Sequence, residues 1–502
     1  MRARLASRLQ LLTGGARDLP QRQQTLRDAI DWSHDLLTPA EQRLFRRMSV
    51  FVGGCTLESM EAVCDAKQDL DLDLLDGIAS LVNKSLVQQQ EQGSDEARFT
   101  MLETIREYAR EKLKASAEAE VTRRAHAAYC LVLAEEDVPE QNAGDGPGGL
   151  ERFAAEHDNF RAALEWLIET GNAEWGLRLG SGLFRFWESR DYLAEGRDWL
   201  AKLLALPGAA APTKPRLRAL FAAGVLATEQ GDYRAADAQI GESLGVAHQL
   251  HDKQGVAVAL NALAVVAREQ GSLPVADSLF EESLVLWKAL GDRRAVARGL
   301  SNLANMARLL GDYPRARSLH AECLSIFNEL GDRTGVAWSL NYQGDAAHSQ
   351  GDFELAQDLY RQALQIFRQT GDRWGVAATL ADLGTLAREK NDFSAARSQY
   401  VESLKAFQEL AHKRGIARLL ECFACASAAQ SEAERSLRLA GAASALRKAI
   451  GAPLTPQEQA KLEANLRPAR AALGDAAGTK AWMQGWAGPL EKAVDEALRP
   501  EN

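Results

Sequence analysis

Of 502 residues, 46% are hydrophobic and 25% charged, and the formal net charge is -10. So long a chain predicts two to four cooperating units, or one domain plus a repeat array, and its acidic balance argues against broad, salt-driven attraction to phosphate backbones. No apolar run is long enough to cross a bilayer and the start MRARLASRLQLLTGG lacks a signal-peptide segment, so a cytoplasmic protein with no membrane partner is expected.

In chain order, QRQQTLRDAIDWSHDLL over 21–37 has a helical pattern, and Thr38-Pro39-Ala40-Glu41 is a capping box that opens a helix through Leu44, Phe45 and Met48. A second start lies at Thr56, and a third helix is predicted over Leu72 to Asn83. Two short strands, Ser85 to Gln90 and Arg98 to Leu102, are predicted around the turn Gln92-Gly93-Ser94-Asp95. Three helices and a hairpin make the winged-helix order. Helix resumes at Glu103, and Gly144-Asp145-Gly146-Pro147-Gly148-Gly149 reads as a linker or loop tip. Glu156 to Leu203 is expected to form irregular helical hairpins that cap a longer helical array.

From about residue 215 a period of forty sets in. One mark recurs as His251-Asp252-Lys253, Gly291-Asp292-Arg293, Gly331-Asp332-Arg333, Gly371-Asp372-Arg373 and Ala411-His412-Lys413. A second, half a period out of phase, runs from Gly231-Asp232-Tyr233 to Asn391-Asp392-Phe393. Gly followed by Asp ends one helix in a left-handed residue and caps the next, so the unit is helix, turn, helix, turn. Leu260, Leu263, Ala264 and Ala267 form one buried stripe, while Ala276 and Phe280 recur as small and large residues of the second helix. The step from Ala264 to Ala276 and Phe280 resembles the tetratricopeptide signature, in a unit longer than the usual length of about 34 residues. A helical tail comes next, restarting at the capping box Thr455-Pro456-Gln457-Glu458.

The stretches LLTGGARDLPQRQQTLRDAIDWSHDLLTPAEQRLFRRMSVFVGGCTLESMEAVC, LLDGIASLVNKSLV and MLETIREYAREKL resemble the end of the nucleotide-binding module of bacterial STAND-class, NB-ARC-like regulators. Those are signal-transducing ATPases with tetratricopeptide sensor regions. EHDNFRAALEWLIETG and GAPLTPQEQAKLEANLRPARAALG are similar to later regions of the same family. The resemblance implies that 1–38 belongs to a helical subdomain and 39–115 to a winged helix. With the repeat, this divides the chain into those two segments, a helical linker with capping hairpins over 116–214, the array over 215–430 and a helical cap over 431–502. The fold expected is mostly all-α, a winged-helix module with a small β-hairpin followed by a tetratricopeptide-like α-solenoid. Family members carry G-x-x-x-x-G-K-[ST] upstream of the segment where this chain begins, and no such pattern occurs here. Gly14-Gly15 has no Lys-Ser or Lys-Thr at the required distance, so neither a cofactor nor ATPase activity is expected of this chain.

The helix predicted over 72–83 carries Asp73 and Asp76 and comes after Asp69 and Asp71, with only Lys84 at its end. Phosphates would repel it, so a packing role is expected of it, and nucleic acid is not the expected partner. Arg43, Arg46 and Arg47 read as a solvated face. Cys422-Phe423-Ala424-Cys425 lacks the second pair a zinc site needs and falls in the packing register, and no metal ligands are assigned. Cys55, Cys64, Cys130 and Cys323 are scattered, which suits a reducing compartment. Trp166, Trp187, Trp199 and Trp287 are expected in the core.

A groove remains. In such arrays the first helix of each repeat lines the concave face. Counting from the buried leucines puts Arg268, Arg308, His348 and Arg388 in one row, and Val265, Asn305, Asp345 and Thr385 in the next, with Asn341 and Trp338 beside them. A basic row in an acidic protein suggests an acidic protein or peptide, or a small anionic effector, held by charge-assisted hydrogen bonds. The expected function is that of a non-enzymatic regulatory or scaffold protein in bacterial signal transduction. The alternative is a transcription regulator that binds DNA through 39–115.

Overall fold

The structure, a computed structural model, describes residues 26–90, 97–136 and 147–499. The first 25 residues, the turn at 92–95 and Gly144 to Gly146 lie outside the described residues. Two compact units divide the chain: one holds residues up to Gly182 with Leu206–Ala209, the other Leu183–Ala205 with Ala210 onward.

In the first unit, α1 (Leu26–Asp35) leads into α2 (Pro39–Met48), α3 (Leu57–Cys64) and α4 (Leu74–Asn83). The capping boxes predicted at Thr38 and Thr455 form, and the helix start at Thr56 is boxed as well. Glu41 N–H donates to Thr38 Oγ1 (3.3 Å) and Thr38 N–H to Glu41 Oε2 (2.7 Å), while Thr56 and Ser59 exchange the same pair of bonds. β1 (Gln88–Gln90) pairs antiparallel with β2 (Arg98–Thr100), Gln88 opposite Thr100. These strands are shorter than predicted because Ser85 takes a left-handed backbone (φ 58°) and α5 (Glu103–Ala115) begins directly after Leu102. Leu44, Phe45, Met60, Cys64, Leu81 and Tyr108 form the shared core.

α6 (Ala119–Glu136), α7 (Pro147–Glu169) and α8 (Ala173–Gly182) complete this unit. Arg98 and Glu156, both almost fully buried, pair at 2.6 Å, and Asn159 accepts from Val52 N–H (2.8 Å) while donating to Gly54 O (2.9 Å). A buried charge needs this degree of pairing to persist.

The arginines of α2 are not a solvated face. Arg47 is buried and forks onto Asp69 (2.6 Å) and Glu118 (2.9 Å), Arg46 bonds Glu118 (2.8 Å), and Arg43 donates to Leu70 O (3.1 Å). Their charge goes into closing the module, because the acidic stretch before α4 and the turn before α6 bring carboxylates to them.

The second unit opens with α9 (Phe184–Ser189) and α10 (Leu193–Leu204), then stacks six helical hairpins. They are α11 (Lys214–Glu229) with α12 (Tyr233–Gln249), α13 (Lys253–Glu269) with α14 (Leu273–Leu290), and α15 (Arg293–Leu309) with α16 (Tyr313–Glu329). After these come α17 (Arg333–Ser349) with α18 (Phe353–Thr370), α19 (Arg373–Glu389) with α20 (Phe393–Glu409), and α21 (Lys413–Ala429) with α22 (Ala433–Ile450). The forty-residue unit comes from long helices joined by short turns. At the marks, Gly291 is left-handed (φ 74°) and Asp292 accepts from Ala295 N–H (2.9 Å). Phe280, Tyr360 and Tyr400 fill the gaps between hairpins, and Trp166, Trp187 and Trp287 are buried. Trp199 is only half-buried, its indole N–H directed to Glu195 (3.4 Å), because it lies one position off the stripe of Leu200 and Leu203.

α23 (Pro456–Ala487), kinked at Gly474, and α24 (Leu490–Leu498) pack on α21 and α22. None of the described helices is long and apolar enough to cross a membrane.

Candidate functional site

The inner helices α11, α13, α15, α17, α19 and α21 recur every forty residues, so their side chains meet across steps of about one repeat. Asn302 donates to Asn261 (2.9 Å), Asn341 to Thr379 (3.3 Å) and Asp382 (3.2 Å), and Arg418 pairs with Asp382 (2.5 Å). These bonds form a polar ladder along the inner helices.

The predicted basic row is mostly neutralised. Arg268 pairs with Glu269 (2.6 Å), His348 lies 2.6 Å from Glu389, and Arg388 donates to Asn465 of α23 (3.1 Å) and to Glu389 (3.2 Å). Arg308 differs. Its guanidinium is held by Asn305 (2.7 and 3.1 Å) and by Ser349 (3.1 Å), all uncharged partners. Elsewhere on α15, burial pushes the Arg298 guanidinium down, against the pull of Asp292.

Asp345 accepts from the Tyr360 hydroxyl (2.7 Å). Burial and the neighbouring Asp382 push its carboxyl up to about 6, against the opposing effects of Tyr360, Arg308 and Arg418. Asp382 in turn holds the Arg418 guanidinium up, although 43% of the Arg418 side chain stays accessible. Tyr342 lies near Asp382, its ring centroid is 5.8 Å from that of Trp338, and Trp338 meets Trp374 at 4.9 Å.

The eight residues expected in the groove thus fall on three consecutive inner helices beyond Arg268, and Asn305, Arg308, Trp338, Asn341, Asp345 and His348 lie on α15 and α17 alone. Asn302, Tyr342, Asp382 and Arg418 were missed. Their signal lay in two further columns at the same period, Ala262, Asn302, Tyr342, Asp382 and Arg298, Trp338, Ala378, Arg418. Cys422 and Cys425 are free thiols in the packing, Cys425 pushed up to about 12 by burial. Among the described residues no group of three or more His, Cys, Asp or Glu is placed to hold a metal.

Fold and groove define the class: residues 37–114 match the winged helix-turn-helix domain family, and 255–329, 295–369 and 335–409 match the tetratricopeptide repeat family. A winged helix and a tetratricopeptide array are the two modules that the resemblance to STAND-class regulators implies. Proteins of Mycobacterium tuberculosis and Mycobacterium bovis named as HTH-type transcriptional regulators are 40% identical to it over 261 residues, 50% of this chain. The match spans 29% of the length of those relatives. Among solved structures, a STAND protein with a tetratricopeptide sensor from Pyrococcus horikoshii covers 97% of this chain and is covered over 68% of its own, at 14% identity and a TM-score of 0.48. Aspartyl phosphate phosphatase F from Bacillus subtilis covers 74% of this chain, with 95% of its own length matched, at 11% identity and a TM-score of 0.43.

Proposed function

We propose that this chain is a non-enzymatic regulatory protein of bacterial signal transduction whose concave tetratricopeptide face binds a peptide, or a segment of a partner protein, that carries acidic groups. The observation that supports this most is Arg308, a groove cation oriented by uncharged Asn305 and Ser349. A carboxylate reaching it gains a charge-assisted hydrogen bond from a donor already in place. A small anionic effector meets the same chemistry.

Selection of a random heptapeptide library on the full chain tests this. Enrichment of Asp- or Glu-containing peptides is expected, and Arg308→Glu should weaken the selected peptides about tenfold or more while leaving the helical signal unchanged. No peptide retained above background, or equal affinity for the variant, would overturn the proposal.

The winged helix-turn-helix match and the relatives' names favour a second reading, a transcription regulator that binds DNA. Against it, the exposed face of α4 presents Leu75, Asp76, Ala79 and Asn83, and Lys84 is engaged by Glu41 (3.2 Å). Anisotropy titration with duplex DNA at low salt separates the two: saturable binding, lost on substituting residues of α4, would favour the second.

A further inference from the structure

The groove also carries a carboxylate whose partners leave it incompletely paired. Asp382 is fully engaged, one oxygen to Arg418 (2.5 Å) and the other to Asn341 (3.2 Å). Asp345 takes a single side-chain hydrogen bond, at Oδ1 from Tyr360. Among the described residues none donates to its Oδ2, and Asp345 is half-buried. Arg308 and Arg418 lie within electrostatic reach of it, yet their hydrogen bonds go to Asn305, Ser349 and Asp382.

Two aromatic rings lie along the same helix, Tyr342 near the carboxylate and Trp338 beyond it, with ring centroids 5.8 Å apart. Tyr342 lies one turn back on α17 and in the same repeat column as Asp382, and it is 37% exposed. Burial, and then Asp345 and Asp382, push its hydroxyl up to about 12. Trp338 continues the surface to Trp374, 45% exposed at the start of α19. A half-buried carboxylate oxygen without a hydrogen-bond donor, near an exposed tyrosine ring, suits a cation, which gains a charge-assisted hydrogen bond and cation–π attraction together.

We propose that Asp345, Tyr342 and Trp338, backed by Asp382, form a subsite for a positively charged group of the bound peptide, a lysine or arginine side chain or a free amino terminus. This rests on the groove binding a peptide, and it adds that the ligand carries both signs of charge, its acid at Arg308 and its base one helix further along. Because burial and Asp382 push the Asp345 carboxyl up to about 6, a cation there should bind better as pH rises, whereas an anion at the same place should bind better as pH falls. The charged and titratable groups facing Asp345 are Asp382, Tyr342, Tyr360, Arg308 and Arg418, and His348, bonded to Glu389, stands one turn along α17.

Heptapeptides selected on the full chain serve as probe, titrated calorimetrically between pH 5 and pH 7.5 into the wild type, Asp345→Asn, Tyr342→Leu and Arg308→Glu. Affinity for the wild type should rise about tenfold over that range. Asp345→Asn, which leaves His348 in place and still accepts from Tyr360, should abolish most of the rise and weaken binding several-fold at pH 7.5. Tyr342→Leu should weaken Lys- or Arg-containing peptides and leave the pH slope. If Arg308→Glu weakens binding while Asp345→Asn does not, the cation subsite is wrong and the groove reading stands. If neither variant matters, both fail.

Discussion

Arg414 reaches Asp191 across 223 residues of sequence, its Nε 3.0 Å from Asp191 Oδ1 and its backbone N–H 3.2 Å from Oδ2. The same guanidinium pairs with Glu229 and donates to Glu188 O (3.3 Å). The start of α21 therefore meets α9, α11 and the turn after α9, and the superhelical turn of the second unit closes on itself.

Opening that closure should be costly. The Asp191 side chain is fully buried, and removing its cation leaves an uncompensated charge, so Arg414→Met should cost about 3 kcal/mol. Urea unfolding and small-angle scattering of the full chain check this: a lower midpoint and a larger radius are expected, and an unchanged radius would detach the ion pair from the closure.

In the winged helix, burial pushes the Glu41 carboxyl up, but hydrogen bonds from Ser80, from Thr38 N–H and from Lys84 prevail and bring it down to about 2. A carboxyl held below its unfolded value contributes stability that is present above about pH 4.5 and lost as pH falls toward 2. Between pH 6 and pH 3 this group alone should account for about 2 kcal/mol of lost stability. Glu41→Gln should remove that part of the slope, read in the full chain as protection of α2 and α5 in pulsed hydrogen exchange across a urea series.

Two glycines should answer alanine with opposite signs. A Cβ on Gly485 would lie 1.8 Å from the carbonyl oxygen of Arg438, backbone that cannot step aside, so Gly485→Ala should separate the second half of α23 from α22 and cost about 1–3 kcal/mol. At Gly241 in α12 the space is open, and Gly241→Ala should stabilise by about 0.5–1 kcal/mol. Thermal melts of both variants decide this.

The repeat was legible because its chemistry is local: Asp292, Asp332 and Asp372 cap the helix that comes after each of them, and period alone then locates the buried stripe. The winged helix was legible at Thr38 and Thr56 for the same reason. What sequence did not disclose was pairing at a distance. Nothing near Arg47 points to Glu118, nor near Arg414 to Asp191, so charges that look solvated in sequence turn out to be structural. In the groove the same blindness applied: Arg268 and Arg388 fall on the row as expected, but their partners Glu269, Glu389 and Asn465 leave Arg308 as the member held by uncharged groups alone. Asp382 and Arg418 escaped because only two of the four polar columns were followed.

The proposed ligand sits on the concave face of the tetratricopeptide array. Hydrogen–deuterium exchange of the full chain with and without a selected heptapeptide tests it most directly. Binding should slow exchange in α15, α17 and α19 and leave the outer helices α14, α16 and α18 and the winged helix unchanged. Protection confined to the outer helices or to α2–α4, with none on the inner helices, would contradict it.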